Sequence, residues 1–213
     1  MVTVPKDDLA GGGAVSAAKA KVTEVLKSVG GRLAQLKVKL GELADLPDEP
    51  EDLKRFGFVD LNDRIGKRLA VTSLNIRATL PKPPDMVRDK ASGRLVRPRM
   101  TPMQQDGLEA RADLDQKHRA RQELRKSFDG IVKDAASEIG EFIEKEEATF
   151  SAVREAALEL AKSPDGYYIG MNLVLVIDNR FSLKEAFELY CSIISADQEE
   201  VRYAEKTLQI SRK

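Results

Sequence analysis

The chain is short of the residues that carry most protein chemistry. Its 213 positions hold one cysteine, one histidine and no tryptophan. A lone Cys191 forbids an intramolecular disulfide and any zinc site built on several thiolates. Nothing in the sequence therefore points to an oxidising compartment, and Cys191, at an apolar helical position, reads as a small core residue. The lone His118 has Asp115 three residues before it on the same helical face. Di-metal bundles need two such carboxylate–histidine pairs and further glutamates, and Lys117, Arg119 and Arg121 crowd His118 with positive charge. A surface histidine is the expectation. Aromatics make up 5% of the chain, which favours thin helix–helix seams of Leu, Val, Ile and Ala over a thick core.

Long apolar runs are also missing. The longest lies near residues 169–177 and is interrupted by Gly170 and Asn172, far short of the roughly 20 residues a membrane span needs. Residues 1–14 lack the basic start and apolar stretch of a secretory signal. The expectation is a soluble protein without a membrane span, cytoplasmic or exported by a route without a cleavable signal peptide. Charge of one sign is not in excess: Lys and Arg total 35, Asp and Glu total 35. A zero balance argues against binding nucleic acid by bulk electrostatics.

What the chain does have is helical periodicity. Val15, Ala18, Val22, Val25 and Val29 step by three and four residues, the spacing of a heptad seam. After Gly30-Gly31 the seam resumes at Leu33, Leu36, Leu40 and Leu43, shifted in phase. The glycines mark either a turn or a joint inside one helix. A second stripe runs through Leu124, Phe128, Ile131, Ala135, Ile139, Phe142, Phe150, Val153, Ala157 and Leu160, with a mean step near the helical 3.6. Gly130 and Gly140 are its expected bends. The predicted fold is all-α: an elongated helical bundle or coiled-coil hairpin with a small C-terminal helical cap.

The expected organisation has five parts. Residues 1–13 form a flexible lead-in, and residues 14–78 an N-terminal helical region. That region includes a short helix near 51–55 and another capped by Asp60, with apolar positions Leu61, Ile65, Leu69, Leu74 and Ile76. Residues 79–105 form an extended, exposed connector, because Pro81, Pro83, Pro84, Pro98 and Pro102 exclude long helix. Residues 106–163 form a long helix or helical hairpin, and residues 164–213 the cap. Within the cap, 167–177 is strand or buried helix. Ser182 and Glu185 make a capping box for a helix with the stripe Leu183, Ala186, Phe187, Tyr190, Cys191 and Ile194. Asp197 caps a last helix whose buried side is Val201, Ala204 and Leu208.

Charge is blocked along the chain. Lys19, Lys21, Lys27, Arg32, Lys37 and Lys39 face Glu24 alone, whereas Glu138, Glu141, Glu144, Glu146, Glu147, Glu155 and Glu159 face only Lys145 and Arg154. The helix over 15–45 is expected to lie along 128–162, with the apolar seams supplying energy and the charges choosing register. In the connector, Lys82, Arg88, Lys90, Arg94, Arg97 and Arg99 outnumber Asp85 and Asp89. That strip reads as a solvated linker, a docking strip for an acidic partner or, least favoured, a nucleic-acid contact.

Catalytic and phosphate-binding patterns are weak. Gly11–Gly13 and Gly66-Lys67-Arg68 lack the remainder of a phosphate loop. The 138–159 carboxylates come without the Asp-rich loop of a calcium site. Cys191 and His118 have no flanking residues that would make them a nucleophile and base. Tyr167-Tyr168 read as core or interface residues before base-stacking ones. No metal or cofactor is expected.

The sequence favours a non-enzymatic interaction or assembly protein: a scaffold, adaptor or self-assembling component that meets a protein partner or itself. The interaction seam would be Val22, Val25, Val29, Leu33, Leu36, Leu40, Leu43, Phe128, Ile131, Ile139, Phe142, Phe150 and Val153. The alternatives are a secreted effector or small enzyme using Asp178, Arg180 and Glu185 in the cap, and a nucleic-acid contact through residues 81–104.

Overall fold

The computed structural model of the chain describes residues 8–43, 56–146, 149–178 and 182–210, with side chains from Gly12 to Ala196. It is an all-α bundle. In chain order the elements are α1 (Asp8–Glu42), α2 (Phe58–Thr79), strands β1 (Val87–Arg88) and β2 (Leu95–Val96), α3 (Pro102–Lys145), α4 (Phe150–Ala161), α5 (Gly166–Ile177) and α6 (Leu183–Ile210). The expected short helix near 51–55 lies outside the described residues.

The heptad pattern of the first region becomes one helix. α1 runs unbroken through Gly30-Gly31, so these glycines are a joint within a helix and not a turn. Nothing stands within 4 Å of either missing Cβ. Their cost in propensity, about 2 kcal/mol together, is met by burial of the stripe on both sides. Val22, Val25, Val29, Leu33, Leu36 and Leu40 all lie in the core. α1 also begins earlier than expected: Asp8 and Gly11–Gly13 are helical, where a lead-in without structure was predicted through residue 13.

α2 starts from Gly57, not from Asp60, which sits in the first turn. A glycine has no side chain with which to cap. The exposed amide of Phe58 is instead met from another part of the chain: it donates to Asp165 Oδ1 at 2.7 Å. The other oxygen of Asp165 pairs with Lys37 Nζ at 2.7 Å. One carboxylate thus ties α1, the start of α2 and the start of α5. Above this junction α2 buries Phe58, Leu61, Ile65 and Leu69. Leu74, predicted to join them, is exposed, and Ile76 is half-buried. Leu43, just past the end of α1, lines a cavity with Ile76 and does not cover Leu74.

α3 begins at Pro102 with a complete capping box. Thr101 accepts from the Gln104 amide, and the Gln104 side chain accepts from the Thr101 amide. The helix runs without interruption through Gly130 and Gly140, the expected bends. The break falls later, between Lys145 and Phe150, where Thr149 caps α4 by accepting from the Ala152 amide. Gly140 instead permits close packing: a Cβ there would stand 2.5 Å from Val176 Cγ1. α3 packs against α1, α2 and α5, and α4 packs against α1, α5 and α6. Lys21–Glu138 at 2.7 Å and Lys19–Glu155 at 3.6 Å join the basic block of α1 to the acidic block of α3 and α4, as the charge pattern predicts.

The ambiguous 167–177 run is helical and central. α5 buries Ile169, Leu173, Val174 and Ile177 against α3, α4 and α6. At its start the aromatic side chains gather. Phe58 stacks on Phe128 with ring centres 4.6 Å apart, and Tyr168 meets Phe128 edge-on at 5.9 Å. The Ser182–Glu185 capping box is present. From it α6 continues to Ile210 without stopping at Asp197, where a new helix was expected.

Candidate interaction surfaces

The seam residues are spent on the chain's own core. Val22, Val25, Val29, Leu33, Leu36, Leu40, Phe128, Ile131, Ile139 and Val153 are buried within the single chain. Leu43, Phe142 and Phe150 are half-buried against the same core. Apolar surface that already faces α1, α3, α4 and α5 cannot also meet a partner without opening the bundle. Two other surfaces hold exposed apolar side chains in number.

The first is the connector. It is not a featureless linker: β1 and β2 pair antiparallel, Val87 opposite Val96 and Arg88 opposite Leu95. Asp89 builds the turn. Its carboxylate accepts from the amides of Ala91 and Ser92 and from the Ser92 hydroxyl at 2.6 Å. Those bonds hold the Asp89 carboxyl below its ordinary titration range, the Ser92 hydroxyl contributing most. Gly93 follows with φ of 65°, a left-handed conformation that glycine adopts without a Cβ clash.

The first leg of the hairpin is fixed. Gln104 Nε2 donates to the Lys82 carbonyl, and Arg111 Nη2 donates to the carbonyls of Leu80 and Pro81. Gly107 lies so close to Pro81 that a Cβ would stand 3.1 Å from its carbonyl oxygen. The hairpin is therefore carried as a defined tip on the α2–α3 pair. In that tip Met86, Val87, Leu95 and Val96 are all exposed, Leu95 by 63%. Strand alternation puts Met86, Arg88, Leu95 and Arg97 on one face. Among the described residues, none of Lys82, Arg88, Lys90, Arg94, Arg97 and Arg99 has an ion-pair partner.

The second surface is the outer face of α6. The predicted stripe Leu183, Ala186, Phe187, Tyr190, Cys191 and Ile194 is rotated from the true one. Ala186, Leu189 and Ile193 are buried, while Leu183 (85%), Phe187 (64%), Tyr190 and Cys191 are exposed. Both sets repeat at helical spacing, so α6 has two apolar stripes, and the structure decides which one faces inward. Leu175, at the end of α5, is 67% exposed. Cys191 lies with Arg154, Leu158, Ser192, Ser195 and Ala196 along an open groove of about 330 Å³ between α4 and α6.

Of the alternative site in the C-terminal region, the structure describes Asp178 and Glu185. Glu185 is engaged by the Ser182 amide and hydroxyl, which hold its carboxyl below the ordinary range. Asp178 Oδ1 is buried without a hydrogen-bond partner among the described residues, and Arg180 lies outside them. A second cavity, of about 260 Å³, lies where Leu43 meets α2 and α3 and is lined by Arg68, Leu69, Asp113 and Leu114 among others. Neither cavity is lined by Asp178 or Glu185. Among the described residues no group of three acidic, histidine or cysteine side chains is placed to hold a metal, and no helix is long and apolar enough to cross a membrane. His118 is half-buried on α3.

The zero net charge conceals a polarity. Residues 61–126, which form most of α2, the hairpin and the first half of α3, contain 16 Lys and Arg against 8 Asp and Glu. Residues 127–213 contain 10 against 17. The hairpin and the end of α5 lie toward opposite ends of α3. From Pro102 to Gly140, where Val176 touches α3, the helix advances about 57 Å at its usual rise. No family model, curated protein or solved structure matches the chain.

Proposed function

We propose that this protein is a non-enzymatic interaction and assembly protein, whose working surface is the cationic and apolar hairpin at the tip of the α2–α3 pair. One observation carries the reading. A short, internally bonded hairpin presents Met86, Val87, Leu95 and Val96 to solvent together with Arg88, Arg94 and Arg97, which have no ion-pair partner among the described residues. A monomer gains nothing in stability from exposing those side chains together, and both backbone edges of a two-stranded ribbon are open to strand addition. The partner with matching chemistry is a protein segment that combines acidic and apolar side chains. The seam predicted from sequence contributes differently: it makes the rigid bundle on which the tip is mounted.

The test is a photo-crosslinking side chain placed at Leu95 in the full chain, with exposed Ser127 on α3 as the control position. Discrete protein adducts at Leu95, lost when Arg94 and Arg97 become glutamate, support the reading. Adducts no different from those at Ser127 overturn it. The excess of cations over residues 61–126 favours a second reading, sequence-independent contact with nucleic acid. It requires nucleic-acid adducts at Leu95 in place of protein ones.

A further inference from the structure

The charge polarity and the two exposed apolar surfaces fit one another. The tip carries Met86, Val87, Leu95 and Val96 among arginines. The outer face of α6 carries Leu183, Phe187 and Tyr190 beside Glu188, and the end of α3 that Val176 touches adds Glu141, Glu144 and Glu146 against Lys145. The local cation on that face, Lys184, stands 3.9 Å from Glu188, a surface pair too exposed to hold Glu188 against a stronger partner.

The two surfaces cannot meet within one molecule. α5 starts beside Phe58, as the Asp165 bond to its amide shows, and descends until Val176 reaches Gly140. α6 then begins six residues beyond Ile177, at the end of the bundle away from the hairpin. Some 57 Å of α3 separates the two ends.

We infer that the acidic, apolar partner of the hairpin is the α6 face of a second copy of this chain, so that molecules associate tip to base. This rests on the reading of the tip given above and names its partner. The contact is heterologous: each molecule offers a different surface at each end. Repetition therefore builds a ring if the rotation closes and an open chain if it does not. Arginines among exposed aliphatic side chains meet glutamate among Leu, Phe and Tyr, so charge sets direction and apolar burial supplies most of the energy. Copies cannot pair tip to tip or base to base without opposing like charges. A neutral total with separated charge of either sign is what such a protomer needs.

The experiment is sedimentation velocity on the full chain over a range of concentrations, at low salt and again at about 0.5 M salt, where screening shortens the reach of exposed charges. Wild type should gain mass with concentration at low salt and lose that gain at high salt. Arg94→Glu with Arg97→Glu should weaken association at least ~10-fold, and so should Glu188→Arg, each alone. All three positions are exposed, and unchanged helical circular dichroism would show that each variant is folded.

Mixing the two variants restores opposite charges at both contacts, so an equimolar mixture should associate where neither does alone. A wild type that stays monomeric, variants that associate like wild type, or a mixture that fails to recover would each overturn the pairing. A monomeric wild type that still gives protein adducts at Leu95 overturns only this choice of partner. Absence of both association and adducts removes the reading of the tip as well.

Discussion

Replacing Asp165 should destabilise the protein more than any other single polar substitution among the described residues. Its carboxylate is 8% exposed as a residue and serves two clients. Oδ1 accepts from the Phe58 amide at 2.7 Å, and Oδ2 pairs with Lys37 at 2.7 Å. Asp165→Ala leaves an ammonium whose side chain is only 13% exposed without its anion. It also orphans a first-turn amide of α2 that Gly57 cannot satisfy. Breaking a fully buried pair costs about 3–5 kcal/mol. Lys37 and Asp165 retain a little solvent contact, so the expected loss is at the lower end, about 3 kcal/mol.

For a chain of this size that loss corresponds to a fall of roughly 6–12 °C in Tm. Asp165→Asn keeps an acceptor for the Phe58 amide and should cost about half as much. Adding Lys37→Met to the Asn variant should then recover stability, because it removes the stranded charge. Urea denaturation followed by circular dichroism measures all three. An alanine variant within ~0.5 kcal/mol of wild type, the ordinary range for a surface site, would show that the junction holds nothing together. Equal losses for Ala and Asn would show that the Phe58 bond contributes nothing.

Four smaller tests follow from other parts of the bundle. Gly30→Ala with Gly31→Ala should stabilise by about 1–2 kcal/mol, since α1 is one helix and neither Cβ meets a neighbour; thermal melting checks it, and a loss would mean that the glycines form a turn. Gly140→Val should destabilise by about 1–3 kcal/mol by overpacking against Val176 and Leu173, read as a lower urea midpoint at unchanged slope. Thr101→Ala should cost about 1 kcal/mol through the lost cap, seen as faster hydrogen exchange over the first turn of α3. Asp89 has a depressed folded titration range, so its contribution to the turn is complete above the unfolded carboxylate value and is lost as pH falls through the folded one. The Ala91 and Ser92 amide resonances should therefore hold their folded shifts at neutral pH and collapse well below pH ~4.

Most of the helices could be read from residue spacing, because a single stripe leaves one way to bury a helix. α1 and α3 have such stripes, and Val22 to Leu40 and Phe128 to Ile139 lie inside as their spacing requires. The capping box at Ser182 was equally plain, since its partners lie three residues apart. α6 was misread because two stripes compete on it, and periodicity cannot say which one Ile169, Leu173 and Ile177 will cover. The break after Lys145 has no glycine or proline to mark it; Gly140 serves close approach to Val176, and nothing stands within 4 Å of a Cβ at Gly130. The hairpin was hidden because two residues per strand give no alternation to count. Proline and charge mark the connector in the sequence, and its form as a defined tip depends on Gln104 and Arg111 holding its first leg.

By itself the sequence determined that the chain would be helical, which faces of α1 and α3 would be buried, and that the basic block of α1 would meet the acidic block of α3 and α4. These are properties of neighbours along the chain, set by a 3.6-residue period and by charge density. The tertiary structure alone decided that Asp165 would cap a helix that starts 107 residues earlier, that α5 would fill the centre, and that the outer stripe of α6 would stay in water. Those outcomes depend on which surfaces meet when several amphipathic helices compete for the same core, and no local pattern encodes that choice.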